Sequence, residues 1–219
     1  MRIFTEPSSD LSTLSRAPPS SQGNGYMTMN GLTHATLRRP PTITLIASLC
    51  MFAVGAAMGG ALVRFQDALY DVAREAVIKH PEVHGFGGVE VIDQQRIAEV
   101  VEQANNAFRM LHVHGLGLGM LILLVSIAIV NLPFAEGLKK ALCVLVSLGA
   151  LYPPGWLILG WLIPYWGVKA LRNPIEWSLF VPFGGAAILA IWGTLILYVI
   201  ALVRGEPQEQ AQTGRKESA

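Results

Sequence analysis

Four stretches of this chain, residues 40–63, 110–135, 141–168 and 177–203, contain no Asp, Glu, Lys or Arg. Each is longer than the roughly 20 apolar residues that a helix needs to cross about 30 Å of hydrocarbon at about 1.5 Å per residue. Only helices and closed barrels satisfy their own backbone donors and acceptors in lipid, and runs of this length and apolarity are helical. The expectation is therefore an all-α, polytopic integral membrane protein with four transmembrane helices at about 42–63, 112–132, 141–166 and 179–203. The charged fraction of 14% agrees, since soluble domains carry about 25%. A net charge of +1 leaves no broad basic surface, so nucleic acid is not an expected partner. The expected partners are the lipid bilayer and a homo-oligomer or larger membrane complex.

Residues 1–41 are rich in Ser, Pro and Thr and lack hydrophobic periodicity, which reads as a disordered tail; residues 204–219 read likewise. Met27 and Met29 stand just ahead of Arg38-Arg39 and the first apolar run, so either could replace Met1 as the start. The basic pair also resembles the front of a signal peptide, with Gly55-Ala56-Ala57 as small residues further on. The apolar run exceeds the usual 7–15 residues of such a peptide, which favours an uncleaved anchor helix.

Orientation follows from Lys and Arg in the short flanks. Arg38 and Arg39, Lys139 and Lys140, and Arg204, Arg215 and Lys216 mark one side. Lys169 and Arg172 mark the 3–4 loop, offset by Glu176. The long 1–2 loop carries eight carboxylates against five basic groups, counting Arg64 and Arg109. Both termini are thus expected in the cytoplasm and the 1–2 loop outside, in a cell membrane of the bacterial inner-membrane type. Tyr165, Trp166 and Trp177 would form an outer aromatic belt.

Residues 64–111 are patterned rather than loop-like. Phe65, Ala68, Leu69, Val72, Ala73, Ala76 and Val77 keep helical spacing, as do Ile97, Val100, Val101, Ala104, Ala107, Phe108 and Leu111. Gly85-Phe86-Gly87-Gly88 separates them. Two amphipathic arms around a Gly-rich turn predict an extracytoplasmic helical hairpin between spans 1 and 2, the second arm continuing into span 2. In span 3, Pro153, Pro154 and Gly155, and again Pro164, demand a kink or break. Span 4 is expected to start near Pro182 and run regularly.

Gly55 and Gly59 in span 1, and Gly115 and Gly119 in span 2, are small residues four apart that let helix backbones touch. They predict packing between these helices or across a dimer. Cys50 and Cys143 lie in different spans and read as small core residues.

His112 and His114 are the sharpest chemical signal, being ionisable groups at the outer mouth of a span. At i and i+2 their side chains diverge by about 200°, so they face different neighbours instead of chelating one metal. The eight-residue segment His112-Val113-His114-Gly115-Leu116-Gly117-Leu118-Gly119 is loosely similar to haem-ligating segments of the haem–copper oxidase and nitric oxide reductase families. That resemblance implies a haem or transition metal as cofactor. Those families place further histidines on other spans, whereas spans 1, 3 and 4 here have none. A second ligand would be Met51, Met58, Met110 or Met120, or would come from another subunit. The other reading is a pair of interfacial histidines bonded to headgroups, water or the kinked span 3. His80 and His84 form a weaker metal candidate; in a hairpin standing off the membrane they lie at its tip, far from His112 and His114.

No carboxylate or amine lies inside a span, so the usual relays of ion-coupled transport are missing. Ser126, Ser147 and Thr194 lack an orienting base, and no hydrolase, zincin or nucleotide-loop motif occurs, so no catalytic residue is assigned. The leading expectation is a non-enzymatic accessory or structural membrane subunit. A haem- or metal-binding redox or sensor protein is the alternative, and a small-molecule permease using the Tyr152-Pro153-Pro154-Gly155 break is the third.

Overall fold

The computed structural model describes residues 38–204, and no strand occurs among them. The tails expected to be disordered, and the alternative starts Met27 and Met29, lie outside the described residues apart from the last few before the first helix. Six α-helices follow in order: α1 Thr42–Lys79, α2 Pro81–His84, α3 Glu90–Val130, α4 Glu136–Leu148, α5 Pro153–Ile175 and α6 Gly185–Arg204. A 3₁₀ turn, Gly149–Leu151, joins α4 to α5, and a π-helical segment, Glu176–Gly184, joins α5 to α6. Three continuous helical stretches are long and apolar enough to cross a membrane: Thr42–Lys79, Glu90–Val130 and Glu136–Arg204.

The long helices α1 and α3 run antiparallel because their small residues meet in register. A Cβ built on Gly55 would lie 2.8 Å from the Leu116 nitrogen, and one on Gly115 would lie 2.9 Å from the Gly55 Cα. One turn further on, a Cβ on Gly119 would lie 3.1 Å from the Ser48 carbonyl, and Ser48 Oγ donates to the Gly119 carbonyl at 2.7 Å. Backbones this close exchange dispersion over their whole contact, which is what drives helix pairing in lipid. Beyond the apolar run α1 kinks at Phe65 (φ −124°, ψ 17°) and continues. Ala73 and Val77 then pack against Ile97 and Val101. The α3 stripe from Ile97 to Leu111 is buried apart from the half-buried Val100, whereas Phe65 and Val72, part of the matched α1 stripe, are exposed. The expected α1 stripe therefore packs inward at its far end, through Ala73, Ala76 and Val77, and is exposed nearer the kink, at Phe65, Ala68 and Val72.

The stretch Glu136–Arg204 folds back on itself. α5 bends at Gly167, whose φ of +73° is open to glycine without strain. Contacts then run in reverse order: Gly155 against Phe180, Gly149 against Ala187, and Gly193 against Leu142. Pro153 is the first residue of α5, where its missing N–H costs nothing, and the 3₁₀ turn before it absorbs the break. The return leg differs from expectation. Its first nine residues, Glu176–Gly184, are π-helical and enclose Pro182, and regular α geometry starts at Gly185. A proline inside a helix displaces its i−4 carbonyl, and the wider π turn accommodates that locally.

Cys143 is buried but Cys50 is exposed, so the core assignment fails for Cys50. It lies on the outward face of α1, opposite the row Ser48, Met51 and Gly55 that packs inward.

Gly55→Ala and Gly115→Ala are expected to destabilise the protein by about 1–3 kcal/mol through forced separation of the backbones. Gly60→Ala and Gly117→Ala, with nothing within 4 Å of the added Cβ, should be neutral. Thermal unfolding in detergent compares the four; equal midpoints would contradict this packing.

Candidate functional site

His112 and His114 stand on opposite sides of one turn of α3 and, as their spacing requires, reach different neighbours. His112 points at α1, where its Nδ1 lies 2.7 Å from the Gly55 carbonyl oxygen. A carbonyl only accepts, so this nitrogen carries the proton and donates. The ring rests on Gly59: a Cβ there would be 2.5 Å from His112 Cε1. The two glycines of span 1 therefore have separate duties. Gly55 brings the backbones together and supplies the acceptor, and Gly59 leaves room for the imidazole.

His114 turns toward the break between α4 and α5. Its Nδ1 donates to the Met110 carbonyl at 2.9 Å, one turn back on its own helix. Its ring stacks on Trp156 at 5.8 Å and 23° and lies 5.3 Å from Tyr152. Tyr152 and Trp156 in turn lie 4.9 and 4.8 Å from Phe180 of the π-helical segment. Gly155 and Gly184 make room for these rings, since a Cβ on either would press on Phe180 or Tyr152. Offset and tilted aromatic pairs of this kind add about 0.5–1.5 kcal/mol each beyond their burial. Thus Pro153, Pro154 and Gly155 do more than kink the chain: they set the two aromatic residues that receive His114.

His80 and His84 are elsewhere. His84 Nε2 donates to the Pro164 carbonyl at 2.9 Å, and the His80 ring lies 5.8 Å from Tyr165. Both link the α1–α3 turn to the end of α5, where Val83 also touches Gly167. Among the described residues no group of three or more His, Cys, Asp or Glu side chains is placed to hold a metal ion. In His112 and His114, however, the hydrogen bond made by Nδ1 leaves Nε2 as the nitrogen that a metal would use. Of the candidate methionines, Met51 is buried in the core shared by α1, α3 and α4, Met120 is exposed, and Met58 and Met110 are half-buried. The hydroxyls of Ser126, Ser147 and Thr194 each bond within their own helix, and Ser147 also lies 3.2 Å from Thr44 Oγ1 on α1. Ser126 donates to Leu123, Ser147 to Cys143 and Thr194 to Ala190, all to carbonyls of the preceding turn.

A polar cluster absent from the sequence reading holds α1 to α3 on the far side of His112. Tyr70 donates to Glu102, Asn105 Nδ2 donates to the Tyr70 oxygen at 2.9 Å, and Arg109 pairs with Glu102 at 3.1 Å. Donation to Glu102 is the main reason the Tyr70 phenol titrates above its ordinary value, with burial and the Glu102 charge adding to it. The signal was present in the spacing, since Glu102, Asn105 and Arg109 share one face of α3. At the opposite end of α3, Glu136 pairs with Lys139 and Arg38, both at 2.8 Å, and Lys139 foremost holds its carboxyl below the usual range.

Comparison with known protein families, with curated proteins and with solved structures yields no match for this chain.

Two outcomes check this geometry. Gly59→Ala should destabilise the protein while His112 is present and be nearly harmless in His112→Ala, giving a coupling energy of about 1–2 kcal/mol in a double-mutant cycle. Strict additivity would contradict the socket. For Tyr70, a folded-state value above that of the unfolded chain means that the stabilisation is complete below about pH 10 and fades as pH rises through the raised value. Tyr70→Phe should therefore cost about 1 kcal/mol at neutral pH, and the difference from wild type should shrink in alkali, as measured by denaturation across pH.

Proposed function

We propose that this chain is a four-crossing integral membrane protein of the structural or accessory kind. The reversal at Gly167 and the antiparallel contacts of Gly149 with Ala187 and Gly193 with Leu142 support two crossings within Glu136–Arg204. In this reading residues 64–111 form an extracytoplasmic hairpin, both termini lie in the cytoplasm, and the membrane is the cell membrane. The exposed rows Ile43, Ile46 and Leu49 on α1, and Leu189, Trp192 and Leu195 on α6, then face lipid.

The observation that carries the functional reading is the placement of His112. The ionisable group that the sequence marks as most suspect donates to Gly55 and fills the space over Gly59, which is the behaviour of a packing residue. The glycine faces meet inside one chain, so association with a second copy or a larger complex would use the outward rows rather than Gly55, Gly59, Gly115 or Gly119. A haem- or metal-binding reading remains as the second, favoured by one observation: each histidine makes its hydrogen bond through Nδ1, so that Nε2 is the nitrogen a metal would use. The permease reading gains nothing from the break, because Tyr152 and Trp156 pack there edge-on to one another and tilted against Phe180.

An absorption spectrum and metal analysis of the detergent-purified full chain separate the two. The expected result is a colourless protein without stoichiometric metal, in which His112→Ala lowers the thermal midpoint. A Soret band or bound metal lost in His112→Ala or His114→Ala would overturn the structural assignment.

A further inference from the structure

Beyond the kink at Phe65, α1 borders two unlike grooves. The one it shares with α3 carries the charges of Asp71, Arg74 and Glu102 beside Tyr70 and Gln94. The other carries no charge at all. Leu69 and Val72 line it from α1, Phe108 from α3, and Gly160, Trp161 and Tyr165 from α5. At about 100° per residue, Leu69 and Val72 stand on the side of the helix roughly opposite Tyr70, Asp71 and Arg74. The uncharged side is also open: Val72 is 48% exposed and Trp161 54%, and Phe65 at the kink is 56% exposed.

The two walls of this groove belong to different parts of the charge pattern. Trp161 lies inside the uncharged stretch 141–168, one turn after the exposed Leu157 and on the same side of α5. Leu69 and Val72 lie past the end of the stretch 40–63, beyond Arg64 and Asp67. In the four-crossing arrangement, on which this inference rests, lipid that covers Leu157 and Trp161 meets Leu69 and Val72 in the same groove. The first charge on α1 then marks the membrane edge about two turns short. The intervening charges fit that placement. Arg64 holds its guanidinium 5.7 Å from the centre of the Phe65 ring, and so long a stem reaches the head groups. Asp67, two residues before Leu69, points about 200° away from it. Trp and Tyr, which form the α5 wall, are the residues that favour the boundary between lipid and water.

We propose that the α1 segment 65–72 lies in the outer head-group zone of a phospholipid bilayer. Leu69 and Val72 rest on acyl chains beside Trp161, and the side bearing Asp71 and Arg74 faces water. The base of the hairpin is thus an interfacial anchor, an amphipathic helix with one face at the boundary of head groups and chains. The upper part of the hairpin, toward Gly85–Gly88, is clear of the lipid.

The test uses the full chain in phosphatidylcholine vesicles, with Val72→Cys, Arg74→Cys and Leu189→Cys made singly in a Cys50→Ser background. Cys143 is buried, so a nitrobenzoxadiazole label goes to the introduced thiol. Leu189 is exposed on α6 within the uncharged stretch 177–203 and reports the membrane interior. Quenching is read with iodide on both sides of the vesicles, and with phosphatidylcholine carrying a nitroxide either near the head group or at the chain end. The Val72→Cys label is expected to lose its emission to the head-group nitroxide and to be shielded from iodide. The Arg74→Cys label should respond to iodide alone, and the Leu189→Cys label to the chain-end nitroxide. If Val72→Cys behaves as Arg74→Cys does while Leu189→Cys keeps its own pattern, the proposal is overturned and the membrane placement stands. If Leu189→Cys is open to iodide, the placement itself fails and the proposal with it. A Val72→Cys label shielded from iodide and from both nitroxides would show protein over the groove, such as a second copy, and overturns the lipid assignment. Phe65→Cys, at another exposed position, should repeat the Val72→Cys pattern and decides the matter if Val72→Cys fails to fold.

Discussion

The contact between Gly55 and Gly115 is the constraint on which most of the other geometry depends. It sets the distance between α1 and α3 at backbone contact, and only at that distance does the His112 imidazole reach the Gly55 carbonyl. Ser48 reaches Gly119 for the same reason one turn away, and Tyr70 reaches Asn105 further along in the other direction. In lipid a helix pair gains little from hiding apolar surface, so contact area and a few well-placed hydrogen bonds must hold it. The pair α1–α3 uses both along one continuous seam.

The helical class and the apolar stretches were legible from the spacing of charge alone, because no other backbone form is stable over such lengths in hydrocarbon. The pairing of Gly55 with Gly115 was legible as a kind of contact, though its location within one chain was not, since small residues four apart look the same at a dimer interface. The divergence of His112 and His114 followed from helical pitch. What each would meet did not, because Tyr152, Trp156 and Phe180 lie about 40 and 70 residues downstream and reach His114 only through the break at Pro153 and the reversal at Gly167. The π-helical start of the return leg was hidden for a related reason: it is a local departure from ideal helical phase, and periodicity arguments assume that phase throughout.

Glycine serves three different ends within one bundle. At Gly55 and Gly115 it permits backbone contact; at Gly59 and Gly155 it makes room for a ring from a neighbouring helix; at Gly167 it supplies a dihedral angle closed to other residues. Gly60 and Gly117, adjacent in sequence pattern, serve none of these and face open space. A motif of small residues is therefore a set of separate local answers, and substitutions within one motif have unequal effects.

The continuity of α3 has a mechanical consequence. Its 41 residues form a rod of about 60 Å with no interior break, roughly twice the hydrocarbon thickness. Its companion α1 has a flexure at Phe65. Displacement of the turn at Gly85–Gly88 would be taken up by bending in α1 but transmitted undiminished by α3. It would arrive as a tilt at Asn131, where Arg38 and the Glu136 cluster are tied to the lower end of the helix. The two ends of α3 are thus joined by an unbroken rod, while its neighbour α1 changes direction at Phe65, with the Gly55–Gly115 contact between the two ends.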